Sequence, residues 1–106
     1  MRGQLPQLLQ ELREGLDGIY GSRLRGVYLY GSYARGEADP ESDVDVLIVL
    51  EDLERYGLEV ERTGQLCADL SLKHMVSISL VFMREHEWLH VETPFLTNVR
   101  EEAIPT

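Results

Sequence analysis

The segment from Asp43 to Leu50 constrains the fold of this chain more than any other part of its sequence. Positions 44, 46, 48 and 50 are all apolar, and so are positions 47 and 49. Because the side chains of a β-strand alternate between its two faces, this pattern predicts a strand that is covered on both sides. Only its start is polar on one face, where Asp43 and Asp45 would lie side by side. A small chain containing such a strand is expected to be an α/β domain, with helices packed on a small sheet.

The remaining patterns predict the other elements of this layered structure. Leucines at helical spacing predict an amphipathic helix from about Leu5 to Leu16, which the glycines at positions 15, 18 and 21 are expected to end. Asp52 is a candidate N-cap for a longer helix. The other expected elements are strands at Leu24–Tyr30 and Met75–Met83, a helical turn at Tyr33–Gly36, a helix that ends near Lys73, and a last helix opened by Thr93-Pro94. With 106 residues, the chain is expected to form a single domain spanning 1–106.

The composition argues against several classes of protein. A formal net charge of −9 disfavours direct binding to a nucleic-acid backbone, which requires clustered Lys and Arg. It suits solubility, a cation site or a basic partner. The single cysteine, Cys67, can form neither an intramolecular disulfide nor a zinc cluster, and its apolar neighbours predict a buried, inert thiol. With no signal peptide and no apolar run of membrane-spanning length, a cytoplasmic protein without membrane contact is expected.

Two polar sites in the sequence are expected to meet at one edge of the sheet. Gly31 ends a predicted strand, where it allows the backbone to turn sharply and a ligand to approach closely. Ser32 then begins a helical turn whose free N–H groups and hydroxyl could hold a phosphate. Asp43 and Asp45 leave the next strand on the same side, where they repel each other unless a cation lies between them. Carboxylate and phosphate oxygens are the ligands that Mg²⁺ prefers, so the pattern predicts phosphoryl or nucleotidyl transfer.

The spacing of these residues resembles a known signature. Gly31-Ser32, ten intervening residues and then Asp43-Val44-Asp45 are similar to the motif of the DNA polymerase β nucleotidyltransferase superfamily. The residues at 29–38, 42–49 and 93–104 resemble those of the minimal nucleotidyltransferases of bacteria and archaea. The resemblance covers nearly the whole chain and implies the polymerase β-like fold, a small mixed β-sheet with helices packed on it.

The resemblance also implies roles for individual residues. Asp43 and Asp45 would be catalytic and would ligate Mg²⁺, whereas Gly31 and Ser32 would bind the triphosphate of ATP or another nucleoside triphosphate. A hydroxyl group would attack the α-phosphate, and pyrophosphate would leave. Such domains often act as the antitoxin of a toxin–antitoxin pair with a HEPN-domain protein, and in some pairs they transfer AMP to a tyrosine of that partner.

Two further residues are candidates for nucleotide binding. Arg35 follows the phosphate turn and could reach a triphosphate, but it could equally pair with Glu37 on the surface. Ser42 opens the second part of the signature and is expected to contact the nucleotide. The sequence leaves the assembly state open, with a homo-oligomer among the alternatives.

One departure from the family pattern affects the expected activity. Complete catalysts of the superfamily carry a third carboxylate on a later strand, where this chain has Ser79, or Ser77 if the register is shifted. Asp69 is the nearest acid, but it lies on a predicted helix. Two hypotheses therefore remain: an active transferase of AMP from ATP to a hydroxyl of a protein partner, or a catalytically weak or inactive nucleotide-binding antitoxin that neutralises its partner by binding.

Several other residues have competing interpretations. The run His86–His90 matches the H-E-x-x-H motif of zinc proteases, but no third histidine ligand follows it. The favoured interpretation is a partly exposed segment with Trp88 and Leu89 packed inward. His74 is expected at the surface near a helix end. Tyr28, Tyr30 and Tyr33 could stack on a nucleobase, but burial in the core is the favoured interpretation for all three.

Overall fold

The computed structural model describes residues 2–106, and its fold is a four-stranded mixed sheet with helices on both faces. The elements, in chain order, are α1 (Leu5–Tyr20), β1 (Leu24–Tyr30), α2 (Ser32–Arg35), β2 (Val44–Leu50), α3 (Tyr56–His74), β3 (Ile78–Arg84), α4 (Glu85–His90), α5 (Pro94–Glu102) and β4 (Ile104–Pro105). The expected α/β class with a small mixed sheet is confirmed.

The sheet has the strand order β3-β2-β1-β4. Strand β1 pairs antiparallel with β2 and with the short β4, whereas β3 runs parallel to β2. A parallel pair needs a crossover connection, and α3 provides it. The end of β1 and the starts of β2 and β3 consequently lie at the same edge of the sheet.

Strand β2 is covered on both faces, as its apolar pattern predicts. One face packs against α1 and α3, and the core there includes Leu8, Leu12 and Leu16 from α1. On the other face, Leu47 and Val49 pack against Val99 of α5. Six of the seven residues of β2 are buried, and the exception is Asp45. The face of β2 that carries Asp45 is therefore the face covered by α5.

Helix α1 continues past Leu16 to Tyr20, so the predicted end near Leu16 is wrong, and of the three glycines expected to end it only Gly21 does so. Gly15 lies inside the helix because α3 packs closely against it: a Cβ at this position would lie 2.5 Å from a methyl carbon of Leu66. The tight contact between α1 and α3 explains this glycine, and tertiary packing outweighs its low helix propensity.

Helix α3 and strand β3 both begin later than the sequence suggests. The carboxylate of Asp52 accepts the N–H of Leu53 in the connection before α3 and does not cap the helix, which begins at Tyr56. Strand β3 begins at Ile78 because Met75 adopts a left-handed conformation with φ 55° and terminates α3.

Helix α3 buries polar side chains, which its sequence pattern did not reveal. Glu59 is 2% exposed, and its Oε1 accepts a hydrogen bond of 2.8 Å from the hydroxyl of Tyr20. His74 is 7% exposed, so the prediction that it lies at the surface is wrong. Its Nε2 lies 3.5 Å from the carboxylate of Glu11 on α1. Cys67 is only half-buried, and its thiol lies 3.6 Å from the carbonyl oxygen of Ile78.

Within residues 2–106, none of the helices combines the length and the hydropathy that crossing a membrane requires.

Candidate functional site

Four of the predicted site residues, Gly31, Ser32, Arg35 and Asp45, meet in one cleft at the edge of the sheet where β1 ends and β2 and β3 begin. Ser42 and Asp43 lie in the connection before β2 and do not line this cleft. Tyr30 pairs with Asp45 across the antiparallel strands, and Asp45 pairs with Ser79 across the parallel strands. Helix α5 forms the opposite wall. The cleft has a volume of about 350 Å³ and is lined by Tyr30, Gly31, Ser32, Arg35, Asp45, Phe95, Asn98, Val99 and Glu102.

Gly31 is required at the end of β1 by both its backbone and its neighbour. Its φ of 77° and ψ of −159° lie in a region that is accessible essentially only to glycine. A Cβ at this position would also overlap the carboxylate of Asp45. The Gly31 N–H donates to Glu102 on the opposite wall, so the backbone of this turn faces the cleft.

Asp43 and Asp45 stand at the start of β2, where Asp43 is exposed and Asp45 is half-buried. Burial raises the pKa of Asp45, and the negative charge of Asp43 raises it further, while the guanidinium of Arg35 acts in the opposite direction. The charge of Asp43 therefore disfavours ionisation of Asp45. A divalent cation between them would remove this repulsion, so the pair fits a metal that takes oxygen ligands.

The position expected to hold a third acid is neutral. Strand register places Ser79 beside Asp45, while Ser77 precedes β3 and its carbonyl oxygen accepts the Val44 N–H at 2.8 Å. In the part of the chain that the structure describes, no three side chains of His, Cys, Asp or Glu are grouped to hold a metal. Two carboxylates would thus leave most of the coordination shell to water and substrate.

Arg35 carries the positive charge of the cleft. The pairing with Glu37 that the sequence suggested is present at 3.5 Å, and a shorter contact of 3.0 Å joins Arg35 to Glu102. Ser32 lines the cleft beside it. The hydroxyl of Ser42 accepts the Asp39 N–H at 3.0 Å, so this side chain closes the loop before β2.

Glu102, at the end of α5, is a residue of the cleft that sequence reasoning missed, and Asn98 on the same helix is another. The Oε2 of Glu102 accepts the N–H of Gly31 at 2.5 Å and a hydrogen bond from Arg35 at 3.0 Å. Its negative charge also contributes to the raised pKa of Asp45. Gly31 and Glu102 are 71 residues apart in the chain, and no local pattern indicates such a contact.

The H-E-x-x-H run forms a short helix, α4, away from this cleft. The rings of His86 and His90 are 4.9 Å apart, but the carboxylate of Glu87 binds the N–H and the guanidinium of Arg84. Trp88 packs on Tyr28 at 4.8 Å, as the inward-packed interpretation expected. Leu89 is 60% exposed, so its predicted burial is wrong: one turn of helix can turn only one of these neighbours towards the sheet.

The tyrosines of β1 and α2 lie at the margin of the core. Tyr28, Tyr30 and Tyr33 are all half-buried and pack against core residues, in agreement with the favoured interpretation. Tyr30 also contacts Phe95 edge to face, with ring centroids 5.9 Å apart, and both rings line the cleft. Burial raises the pKa of Tyr30 to about 12, with a further contribution from Asp45.

A glycine turn beside two carboxylates at a strand edge is typical of proteins that act on phosphate groups. A family model described as nucleotidyltransferase domain matches residues 8–104 of this chain. Two proteins of Methanocaldococcus jannaschii, both provisionally named protein adenylyltransferases, are also similar. One is 29% identical over 101 residues, which cover 95% of this chain and 97% of the relative. The other is 33% identical over 96 residues, or 90% of each chain. This chain therefore belongs to the nucleotidyltransferase domain family.

Solved structures with the same fold support this assignment. A protein provisionally described as a minimal nucleotidyltransferase superposes with a TM-score of 0.58 and 25% identity, over 96% of this chain and 95% of that one. A toxin–antitoxin structure with AMP-PNP gives a TM-score of 0.63 and 19% identity, over 94% of this chain and 69% of that one. A complex of a tri-AMPylated Shewanella oneidensis HEPN toxin with an MNT antitoxin gives a TM-score of 0.55 and 17% identity, over 94% of this chain and 66% of that one. The fold is that of the minimal nucleotidyltransferases.

Proposed function

We propose that this chain binds Mg²⁺ and ATP in the cleft between β2 and α5 and transfers AMP to a hydroxyl group of a protein partner. The observation that carries the proposal is the convergence of a cradle for phosphate with a pair of carboxylates. The Gly31 backbone and the Arg35 guanidinium lie beside Asp45 in the cleft, and the charge of the neighbouring Asp43 acts on Asp45. The names of the relatives, which specify adenylyl transfer to protein, support ATP as the nucleotide.

Each residue of the cleft has a distinct role in this proposal. The Gly31 N–H, the Ser32 hydroxyl and the Arg35 guanidinium bind and orient the triphosphate. Asp43 and Asp45 hold the Mg²⁺, which when bound neutralises negative charge on the phosphate oxygens. The acceptor oxygen forms a bond to the α-phosphorus, the bond from that phosphorus to pyrophosphate breaks, and the proton of the hydroxyl passes to solvent or to the partner.

A second candidate function is nucleotide binding without efficient transfer. The observation that favours it is Ser79, which lies beside Asp45 where complete catalysts have an acid. A serine hydroxyl can donate a hydrogen bond to a water molecule, but it cannot supply the negative charge of a carboxylate. In this case the chain would act on its partner by binding alone.

The partner in both candidates is a HEPN-domain protein, and this chain is its antitoxin. The support comes from the solved complexes of similar fold, in which a nucleotidyltransferase antitoxin is bound to a HEPN toxin. The net charge of −9 suits a basic partner, because complementary charge accelerates association. We expect this chain and a co-expressed HEPN-domain protein to elute together in gel filtration at low and moderate salt. Separate elution under both conditions would refute the pairing.

The nucleotide proposal is tested by calorimetry. We expect Mg²⁺ and ATP each to increase the apparent affinity for the other, because phosphate oxygens complete the coordination shell that two carboxylates leave open. The Asp43→Asn, Asp45→Asn double variant should lose this coupling. Asp69→Asn, which makes the same chemical change on the exposed face of α3, should retain it. ATP affinity that is independent of Mg²⁺ would contradict the proposal.

The two candidate functions are separated by incubating the chain and its HEPN-domain partner with radiolabelled ATP and Mg²⁺. Label on the partner that depends on Asp45 supports transfer. A stable complex that forms and neutralises the partner without any label supports binding alone.

A further inference from the structure

The carboxylate of Glu102 occupies the place in the cleft where an incoming phosphate would bind. Its Oε2 accepts the N–H of Gly31 at 2.5 Å and the Nη1–H of Arg35 at 3.0 Å. The side chain is 20% exposed, so the contact lies inside the cleft wall and not on an open surface. These two donors are the ones that the proposed function assigns to the triphosphate.

We propose that Glu102 is an internal anion that competes with the nucleotide for the phosphate cradle, so that ATP binds only when this side chain is expelled. The inference rests on the proposed function and adds to it a residue that sets the nucleotide affinity. In the free protein, the Glu102 side chain therefore blocks the cleft to phosphate.

The competition follows from the chemistry of the two acceptors. A carboxylate and a phosphate both accept charge-assisted hydrogen bonds, and a single backbone N–H that points at one oxygen cannot serve both at full strength. A carboxylate that stayed in place would also repel the triphosphate.

Expulsion of Glu102 requires a side-chain rotation and no unfolding. The residue lies at the last position of α5, and the backbone beyond it is held independently. Ile104 pairs with Leu29 of β1, and the Thr106 N–H donates to the carbonyl oxygen of Val27 at 2.9 Å. Turning the Glu102 side chain towards solvent thus leaves the fold intact and frees the Gly31 N–H.

The direct test compares two glutamine variants that change the net charge equally. Glu102→Gln keeps an oxygen that can accept the Gly31 N–H but removes the charge that competes with phosphate. Glu101→Gln is the matched control, because Glu101 is the exposed neighbour on the same turn of helix. We expect Glu102→Gln to bind Mg²⁺–ATP about tenfold more tightly than the natural protein, and Glu101→Gln to bind it unchanged. Inorganic tripolyphosphate should show the same order, because the competition concerns the phosphate and not the base.

A second measurement uses the natural protein and does not depend on the folding of a variant. Carboxyl groups can be coupled to glycine ethyl ester by a carbodiimide, and the modified sites can be counted by mass spectrometry. We expect Mg²⁺–ATP to increase the labelling of Glu102 relative to that of Glu101. Labelling of Glu102 that stays equal or decreases would show that the side chain is not expelled.

The outcomes distinguish this inference from the proposed function. If the natural protein binds Mg²⁺–ATP but Glu102→Gln binds it equally or more weakly, Glu102 supports the cradle and the inference alone is overturned. If none of the three proteins binds Mg²⁺–ATP or tripolyphosphate, the proposed function fails and the inference fails with it.

Discussion

Asp45 of β2 lies directly beside Ser79 of β3 in the parallel register of the sheet, and both side chains leave it on the face covered by α5. Neighbouring strands are about 4.8 Å apart, so an acid at position 79 would stand next to the two aspartates of the cleft. Sequence spacing alone left Ser77 as an alternative. The register of β3 places Ser79 beside Asp45 and leaves Ser77 before the strand.

This register makes Ser79→Asp a specific test of the missing acid. We expect the variant to transfer AMP about tenfold faster or more, because a third carboxylate can complete a metal site and each 1.36 kcal/mol of barrier is worth a factor of about ten in rate. Thermal unfolding should show a larger stabilisation by Mg²⁺ than in the natural protein. Ser79→Asn is the control of equal size and should show neither gain. Fast transfer by the natural protein, unaffected by either change, would refute the importance of this position.

Gly31→Ala should abolish nucleotide binding and destabilise the fold by about 1–3 kcal/mol, the range expected for a side chain forced into this backbone region. The added Cβ would also push against the carboxylate of Asp45. Gly36→Ala is a matched control, because Gly36 has a similar φ of 73° but a Cβ added there would meet no atom within 4 Å. Its cost should be limited to backbone strain, and it should still bind Mg²⁺–ATP in calorimetry. Equal nucleotide binding by the two variants would contradict the role of Gly31.

Tyr20→Phe should change how stability depends on alkaline pH. Burial raises the pKa of Tyr20 above its ordinary value of about 10, and the hydrogen bond to Glu59 raises it further. The folded protein holds this proton more tightly than the unfolded chain, so the stabilisation is fully present below about pH 10 and is lost as the pH rises above it. Without the hydroxyl, this part of the alkaline loss should disappear.

The natural protein and Tyr20→Phe are compared by urea unfolding at about pH 8 and about pH 11. At the lower pH, Tyr20→Phe should be less stable by about 1–2 kcal/mol, because Glu59 loses a buried hydrogen bond. Between the two pH values it should lose less stability than the natural protein. Tyr30, whose pKa is raised to about 12, should cause a remaining loss of stability with rising pH in both proteins. If both proteins lose the same free energy of unfolding between the two pH values, the Tyr20 proton does not contribute to stability.

Arg100→Met should detach α4 from α5. The guanidinium donates to the carbonyl oxygen of Trp88 at 2.6 and 2.8 Å and to that of Val91 at 2.7 Å, and so binds the end of α4. Losing these charged hydrogen bonds should cost about 2–3 kcal/mol in urea unfolding. Arg25→Met, which removes an exposed arginine paired with Glu51, should cost under about 1 kcal/mol. Similar losses in the two variants would contradict this role of Arg100.

Much of the fold could be predicted because it depends on patterns that are local in the chain. The alternation along β2 required cover on both faces, and α1 and α3 on one side and α5 on the other provide it. The glycine at the end of β1 and the two aspartates at the start of β2 were expected to meet at one edge of the sheet, and the antiparallel pairing of Tyr30 with Asp45 places them there.

Other features depend on which parts of the chain pack together, and no local pattern reveals them. Gly15 resembles a helix breaker until α3 is seen packed against it, and His74 resembles a surface residue although the fold buries it beside Glu11 of α1. The contact of Glu102 with Gly31 joins residues 71 positions apart, which α5 brings together by packing on the sheet. The sequence by itself determined the layers of the fold and the polar residues of the cleft, since both follow from the periodicity of side chains along a strand. Only the tertiary structure decided which acid would face the phosphate donors and which serine would stand beside Asp45, because strand register and helix docking bring together residues that are distant in the chain.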